Sequence, residues 1–155
     1  MSPRNVIQEA LERFGRQAGL EKKSGAWYRR TDEVIAVSDL QKSQYGPRYY
    51  FNQGFWLRAL GAETYPKGWR CHISLRLETL LVEERHRIAQ LLDLEHEIAD
   101  DDRIEELVAL LGDRILPVIQ RGGSLAGLRA MVDDKTLATA AIQGPAQQAL
   151  AAVSQ

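Results

Sequence analysis

Cys71-His72-Ile73-Ser74-Leu75-Arg76-Leu77 is the stretch on which the fold turns. Cys71, Ile73, Leu75 and Leu77 fall on one side of an extended chain, and His72, Ser74 and Arg76 on the other. That alternation predicts a strand of an antiparallel sheet with one face packed and one face wet. Upstream, Ala26-Trp27-Tyr28-Arg29-Arg30 and Val34-Ile35-Ala36-Val37-Ser38-Asp39-Leu40 flank the polar link Thr31-Asp32-Glu33, the pattern of a hairpin. After the turn Gln44-Tyr45-Gly46-Pro47-Arg48, where Pro47 fixes φ, residues 49–57 form a third β-prone run. It is apolar on both faces except for Asn52, Gln53 and Gly54. A loop with Gly61, Pro66 and Gly68 then leads into the alternating stretch, so four strands follow in order as an antiparallel meander.

On either side of the sheet the period is helical. Val6, Ile7, Ala10, Leu11, Phe14 and Ala18 make one apolar stripe and predict a helix within residues 1–19. Pro3 suits its first turn and Gly19 a left-handed stop. From Glu78 the spacing returns to three and four, through Leu80, Leu81, Ile88, Leu91 and Leu92, then Ile104, Leu107, Val108, Leu111, Ile115 and Leu116. Asp102-Arg103-Ile104-Glu105 reads as a capping box with Asp102 as N-cap, and Pro117 is expected to kink or end that helix. Ser124 is placed to cap a further short helix. Residues 133–155 are Ala-rich, interrupted by Gly144-Pro145, and predict a loosely docked tail. An amphipathic helix and a one-sided sheet each need a partner layer. The expectation is therefore a single α+β domain over 1–155: an N-terminal helix, a four-stranded antiparallel meander sheet over 26–77, and a helical half from 78 packed on one sheet face.

Composition is that of a globular domain, with 45% hydrophobic and 26% charged residues, which excludes a disordered or collagen-like chain. No apolar run approaches the roughly 20 residues a bilayer crossing needs, and the start lacks a signal-peptide core. Cys71 is the sole cysteine, so no internal disulfide forms and a reducing compartment is favoured. These features predict a cytoplasmic protein with no membrane partner. The net charge of −1 hides an asymmetry: residues 1–76 hold 13 Lys/Arg against 7 Asp/Glu, and residues 77–155 hold 7 against 14. Every aromatic residue, from Phe14 to Trp69, lies in the basic part.

Catalytic signatures are missing from the sequence. His72, His86 and His96 are available to a metal, but neither a His-Glu-x-x-His motif nor a paired-cysteine knuckle accompanies them, so no metal or other cofactor is called for. Asp100, Asp101 and Asp102 favour the positive end of a helix dipole without any ion. Cys71 and His72 are adjacent in a strand, point to opposite faces, and form no nucleophile–base pair. Lys22, Lys23, Arg29, Arg30, Lys42, Arg48, Lys67 and Arg70 are interleaved with aromatics, a pattern that can stack bases and hold phosphates. Near-neutral total charge disfavours that nucleic-acid reading.

The wet face of the sheet collects the remaining candidates for a binding site. His72, Ser74 and Arg76 share it by parity. Asp39 and Gln41 join from the neighbouring run, with either Tyr50 and Asn52 or Phe51 and Gln53 depending on register, and Arg30 or Arg29 beyond them. Cross-strand charge pairing alone would also account for such a face.

Several of these runs resemble a known family. Gly19-Leu20-Glu21-Lys22-Lys23, Trp27-Tyr28-Arg29-Arg30, Val34-Ile35-Ala36-Val37 and Leu40-Gln41-Lys42-Ser43 are similar to the opening of the bacterial domain-of-unknown-function family DUF4304. Tyr50-Phe51-Asn52-Gln53-Gly54-Phe55-Trp56-Leu57 and the Cys71–Leu77 stretch resemble its middle strands, and the likeness extends to about Leu128. The Ala-rich tail after Val132 departs from it. The resemblance implies no assigned activity and no catalytic residues, and for some members an immunity role beside bacterial toxins. A non-enzymatic binding protein is therefore the leading expectation, an immunity-type inhibitor whose acidic helical face from Glu83 to Glu106 meets a basic toxin. The alternative is a small-molecule or nucleotide-handling protein using the open polar sheet face. Trp56, Trp69 and Tyr65 suit either core packing or a dimer contact, which leaves monomer and homodimer both open.

Overall fold

In the computed structural model, which describes residues 5–153, the chain begins with α1, Val6–Gln17. Its stop is Gly19 at φ +71°. Asn5 is the N-cap: its side chain accepts from the Gln8 amide at 2.9 Å, and the Gln8 side chain accepts from the Asn5 amide at 3.0 Å. Pro3 lies outside the described residues. Strands β1 (Glu21–Lys23), β2 (Ala26–Arg30), β3 (Val34–Lys42) and β4 (Tyr49–Leu57) follow. Residues 58–72 then cross the sheet, with 3-10 turns at Arg58–Leu60 and Gly68–Arg70, before β5 (Ile73–Arg76). The helical half comprises α2 (Leu77–Leu80), α3 (Arg85–Leu91), α4 (Asp100–Leu110), α5 (Leu116–Arg121) and α6 (Leu125–Asp133). The chain closes with β6 (Ala141–Ile142) and α7 (Gly144–Val153). Among the described residues no helix is long and apolar enough to cross a membrane.

The sheet is an antiparallel meander in the order β1-β2-β3-β4-β5-β6. It has six strands where four were expected, for a physical reason at each edge. β1 is Glu-Lys-Lys, exposed throughout and without apolar alternation. The turn Ser24-Gly25, both at positive φ (51° and 83°), folds it onto β2. β6 is two residues long, below the length at which periodicity can be read. The alternating stretch is also trimmed, because Cys71 and His72 precede β5 and Leu77 opens α2.

Trp27, Val34, Ala36, Phe51, Phe55, Leu57, Ile73 and Leu75 face the helices and build the main core with Ile7, Phe14, Ile88, Leu107, Ile115 and Leu128. Two polar residues on that face satisfy each other: Ser38 donates to Gln53 Oε1 at 2.5 Å, and Gln53 donates to the Gly54 carbonyl at 3.1 Å. The tail expected to dock loosely buries Leu137, Ala146 and Leu150.

Two local expectations are corrected. Ala99, not Asp102, is the N-cap of α4, with no side-chain cap bond, and the three aspartates occupy its first turn. Arg103, on the same turn, is buried and donates to the carbonyls of Gln90 (3.0 Å), Leu91 (2.5 Å) and His96 (2.6 Å), capping the end of α3. Pro117 does not end the helix, whose backbone stays αR through Ile115 and Leu116. A π-helical turn at Leu111–Ile115 precedes it, and Pro117 sits at the start of α5, where its missing N–H costs little. Ser124 caps α6 as expected, accepting from the Gly127 amide at 2.9 Å.

The other sheet face is divided. Ala26, Tyr28, Ile35, Val37 and Trp56 form a second apolar cluster with Cys71, covered by the 58–72 crossing. Tyr65 and Pro66 pin that crossing: Tyr65 packs edge-on against Tyr28 at 5.2 Å, and the Tyr28 hydroxyl donates to the Pro66 carbonyl at 3.0 Å. Gly54 permits the fit, since a Cβ there would stand 2.7 Å from Cys71 Sγ and 2.9 Å from Cys71 Cβ. The rest of this face stays open.

Candidate functional site

Register assembles the open half. Asp39 of β3 lies opposite Asn52 of β4, and Asn52 opposite Arg76 of β5, so the three make one row across the sheet. Gln41–Tyr50 and Gly54–Ser74 pair on neighbouring rows of the same face. Antiparallel pairing puts directly opposed residues on the same side. The sequence left open whether Tyr50 and Asn52 or Phe51 and Gln53 share this face; it is Tyr50 and Asn52, and the other two point into the core.

These side chains floor a cleft of about 610 Å³. The end of the crossing, Gly68 and Trp69, forms one wall, and Thr79, Thr139 and Ala141 form the other. The second wall is tied to itself by Thr139, whose hydroxyl donates to the Thr79 carbonyl at 3.1 Å. Trp69 is 83% exposed, an aromatic surface that the fold itself leaves uncovered. On the floor, Asn52 Nδ2 donates to Gln41 Oε1 at 3.2 Å, and Arg76 Nη2 donates to the same oxygen at 3.4 Å. The Arg76 guanidinium lies 4.0 Å over the Tyr50 ring, which fixes its position without neutralising it.

Asp39 is set apart electrostatically. Burial pushes its carboxyl above the usual aspartate value, and the Asn52 amide beside it opposes that shift in part. The burial comes from Gly68, on which a Cβ would collide with Asp39 Oδ2. Among the described residues Asp39 has no cationic partner and Arg76 no carboxylate.

Five of the seven side chains expected on this face are thus gathered: Asp39, Gln41, Asn52, Ser74 and Arg76. His72 is not among them. It sits just before β5, buried under the crossing, with its ring 4.3 Å from that of Trp56. Its Nδ1 accepts the Leu57 backbone N–H at 2.9 Å, standing in for a strand partner beyond the end of β5. Burial depresses its pKa, in keeping with a neutral acceptor. Arg30 shares the face by parity but lies at its far end, paired with Glu21 at 3.0 Å and 4.4 Å over the Tyr65 ring. Cys71 turns to the face opposite Ile73, because the backbone is not yet a strand there, and burial pushes its thiol up to about 12.

The walls were missed by sequence reasoning. Gly68-Trp69 carried a usable signal, a glycine beside a large aromatic in a long loop, whereas Thr79 and Thr139 carried none. The aromatics in the basic part do not form a continuous stacking surface: Trp27, Tyr28 and Tyr49 are buried, and Tyr45 and Trp69 stand exposed. Several of the accompanying cations are paired, Lys22 to Glu12 at 2.8 Å and Arg70 to Glu63 at 2.8 Å. The same holds on the acidic helical face, where Glu106 is held by Arg87 at 2.6 Å and Glu84 by Arg114.

The chain belongs to the family described as Domain of unknown function (DUF4304), whose pattern it matches over residues 13–121. That span runs from the second half of α1 to the end of α5 and holds β1 to β5, and so the whole cleft floor. Thr139 and Ala141 of the second wall lie beyond it. No curated protein and no solved structure gives a match.

Proposed function

We propose that the protein is a binding protein that takes a small polar ligand in the cleft between the β3–β5 floor and the Gly68-Trp69 wall. The observation that carries this reading is the convergence of Asp39, Gln41, Asn52, Ser74 and Arg76 in one concavity. Its volume of about 610 Å³ falls in the range of small-molecule sites, where a few polar groups orient a ligand against apolar walls. Binding is favoured over catalysis because Ser74 has no base beside it: His72, the nearest in sequence, is turned under the crossing with Nδ1 occupied.

The test is native mass spectrometry of the full chain purified from its producing cells, beside a Ser74→Trp variant that fills the cleft. A small molecule retained by the first and lost from the second is the expected result. Identical ligand profiles in both would overturn the reading.

A second reading, a toxin or other basic protein held on the helical face, is favoured by the exposed carboxylates Asp101, Asp102 and Glu105. The ion pairs of Glu84 and Glu106 weaken the field there, so the cleft leads. Co-expression with the neighbouring gene product followed by pull-down separates the two: a complex that survives Ser74→Trp and fails on Asp101→Lys/Glu105→Lys belongs to the helical face.

A further inference from the structure

The cleft sets two unlike charges on one row and gives neither a counter-ion. Asp39 and Arg76 flank Asn52 across β3, β4 and β5, which puts their Cα atoms two strand spacings apart, about 10 Å. They do not pair with each other. A neutral relay lies between them, in which Gln41 Oε1 accepts from both Asn52 and Arg76. Two guanidinium nitrogens, Nε and Nη1, and the Gln41 amide hydrogens remain as donors at the cleft.

Each candidate ligand class meets these charges differently. A phosphate ester would satisfy Arg76 but bring further negative charge toward Asp39. A simple cation would suit Asp39 and leave Arg76 facing like charge. An uncharged ligand would cover both charges and compensate neither, at a desolvation cost. A molecule bearing both signs relieves both ends at once, and relief is largest at Asp39, where the fold already penalises the charged form.

Resting on the cleft reading above, we infer that the ligand is a small zwitterion of the α-amino-acid type. Its carboxylate lies on Arg76, its ammonium on Asp39, and an apolar or aromatic side chain against Trp69. The scale is that of such a ligand: about 3 Å from ammonium to carboxylate plus two charge-assisted hydrogen bonds of about 2.8 Å gives about 8–9 Å between the two groups it joins, and the row sets their Cα atoms about 10 Å apart. The exposed Trp69 ring supplies the stacking surface that such a side chain needs.

The experiment titrates the full chain, by calorimetry and thermal shift, with L-amino acids tested singly. Phenylalanine is accompanied by its two halves, phenethylamine and 3-phenylpropionate, and AMP serves as the anionic ring. Wild type is expected to bind at least one amino acid, and phenylalanine at least tenfold tighter than either half. Arg76→Gln should weaken phenylalanine by tenfold or more and leave phenethylamine unchanged. Asp39→Asn should do the same to phenylalanine and leave 3-phenylpropionate unchanged. Far-ultraviolet circular dichroism confirms that both variants are folded. Halves that bind as tightly as the whole, or amino acids that all fail, overturn the zwitterion assignment. AMP binding that Arg76→Gln abolishes, with amino acids silent, overturns the ligand class and leaves the cleft standing. Silence of every probe, together with identical ligand profiles for wild type and Ser74→Trp, removes both.

Discussion

Gly54→Ala tests the device that builds the site, the seating of the 58–72 crossing on β4. The added methyl would stand 2.7 Å from Cys71 Sγ, 2.9 Å from Cys71 Cβ and 3.4 Å from the Gly68 carbonyl oxygen. Carbon contacts are optimal at about 3.5–4.0 Å, so Cys71 has to retreat by about 0.6–1 Å. A Cβ is tied to the backbone, and the crossing must move with it. Overpacking of this kind costs about 1–3 kcal/mol. Replacing glycine inside a strand returns about 0.5–1 kcal/mol of conformational entropy. The net expectation is a loss of about 1–2 kcal/mol, or about 2–8 °C in Tm for a domain of this size.

Urea denaturation followed by tryptophan fluorescence reads the loss, and a double-mutant cycle identifies its origin. Cys71→Gly removes the two atoms that the methyl would overlap and leaves only the ordinary 3.4 Å contact with the Gly68 oxygen, so Gly54→Ala should cost little or nothing in that background, a coupling of about 1–2 kcal/mol. Equal costs in both backgrounds, or a cost below about 0.5 kcal/mol in wild type, would refute a crossing seated directly on β4. The displaced wall also carries Trp69, so ligand response in the cleft should fall along with stability.

Three other outcomes follow from the buried polar groups. His72→Phe keeps a ring against Trp56 and removes the acceptor of the Leu57 N–H, a loss of about 1–3 kcal/mol at neutral pH by urea denaturation. Because the folded pKa of His72 is depressed, its contribution is present above about pH 6.5 and fades as pH falls toward the folded value, so the gap between variant and wild type should close on acidification. Asp39 has the opposite sign. With its folded pKa raised, it lowers stability as pH rises past about 3.9, so Asp39→Asn should be more stable than wild type at pH 7 and lose that advantage in acid. Arg103→Met leaves the Gln90, Leu91 and His96 carbonyls without their shared donor and should cost about 2–4 kcal/mol, with Arg103→Lys recovering only part, since one ammonium cannot reproduce the fork.

What the sequence disclosed and what it hid divide along physical lines. Long periodic runs were legible because their pattern is the burial pattern: the α1 stripe buries Ile7, Ala10, Leu11 and Phe14, and β5 alternates Ile73 and Leu75 inward with Ser74 and Arg76 outward. β1 was hidden because both of its faces are wet, and a turn, not burial, makes it a strand. His72 keeps the side of the sheet that parity gives it, against Trp56, but that end of the face is the half covered by the crossing, where the ring serves the Leu57 backbone. Alternation along a strand tells the side of a residue and not what a distant loop lays over it. Arg103 reads as a charged residue of an acidic helix start, and its burial depends on three carbonyls from a different helix and loop. No local pattern announces such a partner.

The length of the β4–β5 connection is the feature that ties fold to function. Neighbouring antiparallel strands can be joined by a two-residue turn. Here residues 58–72 intervene, beyond the dozen or so that mark a connection with a task of its own. The crossing buries the apolar half of a face that a meander would otherwise leave wet, which explains why Tyr28, Ile35, Val37 and Trp56 are tolerated there. It stops short of the polar half, and its last turn, Gly68-Trp69, stands as a wall along Asp39. The same segment therefore creates the depth of the cleft and the burial that penalises the Asp39 charge. An anchor that half-buries one carboxylate, beside an arginine with no carboxylate partner among the described residues, leaves two unlike charges facing one concavity. A ligand of matching charges would meet both at once.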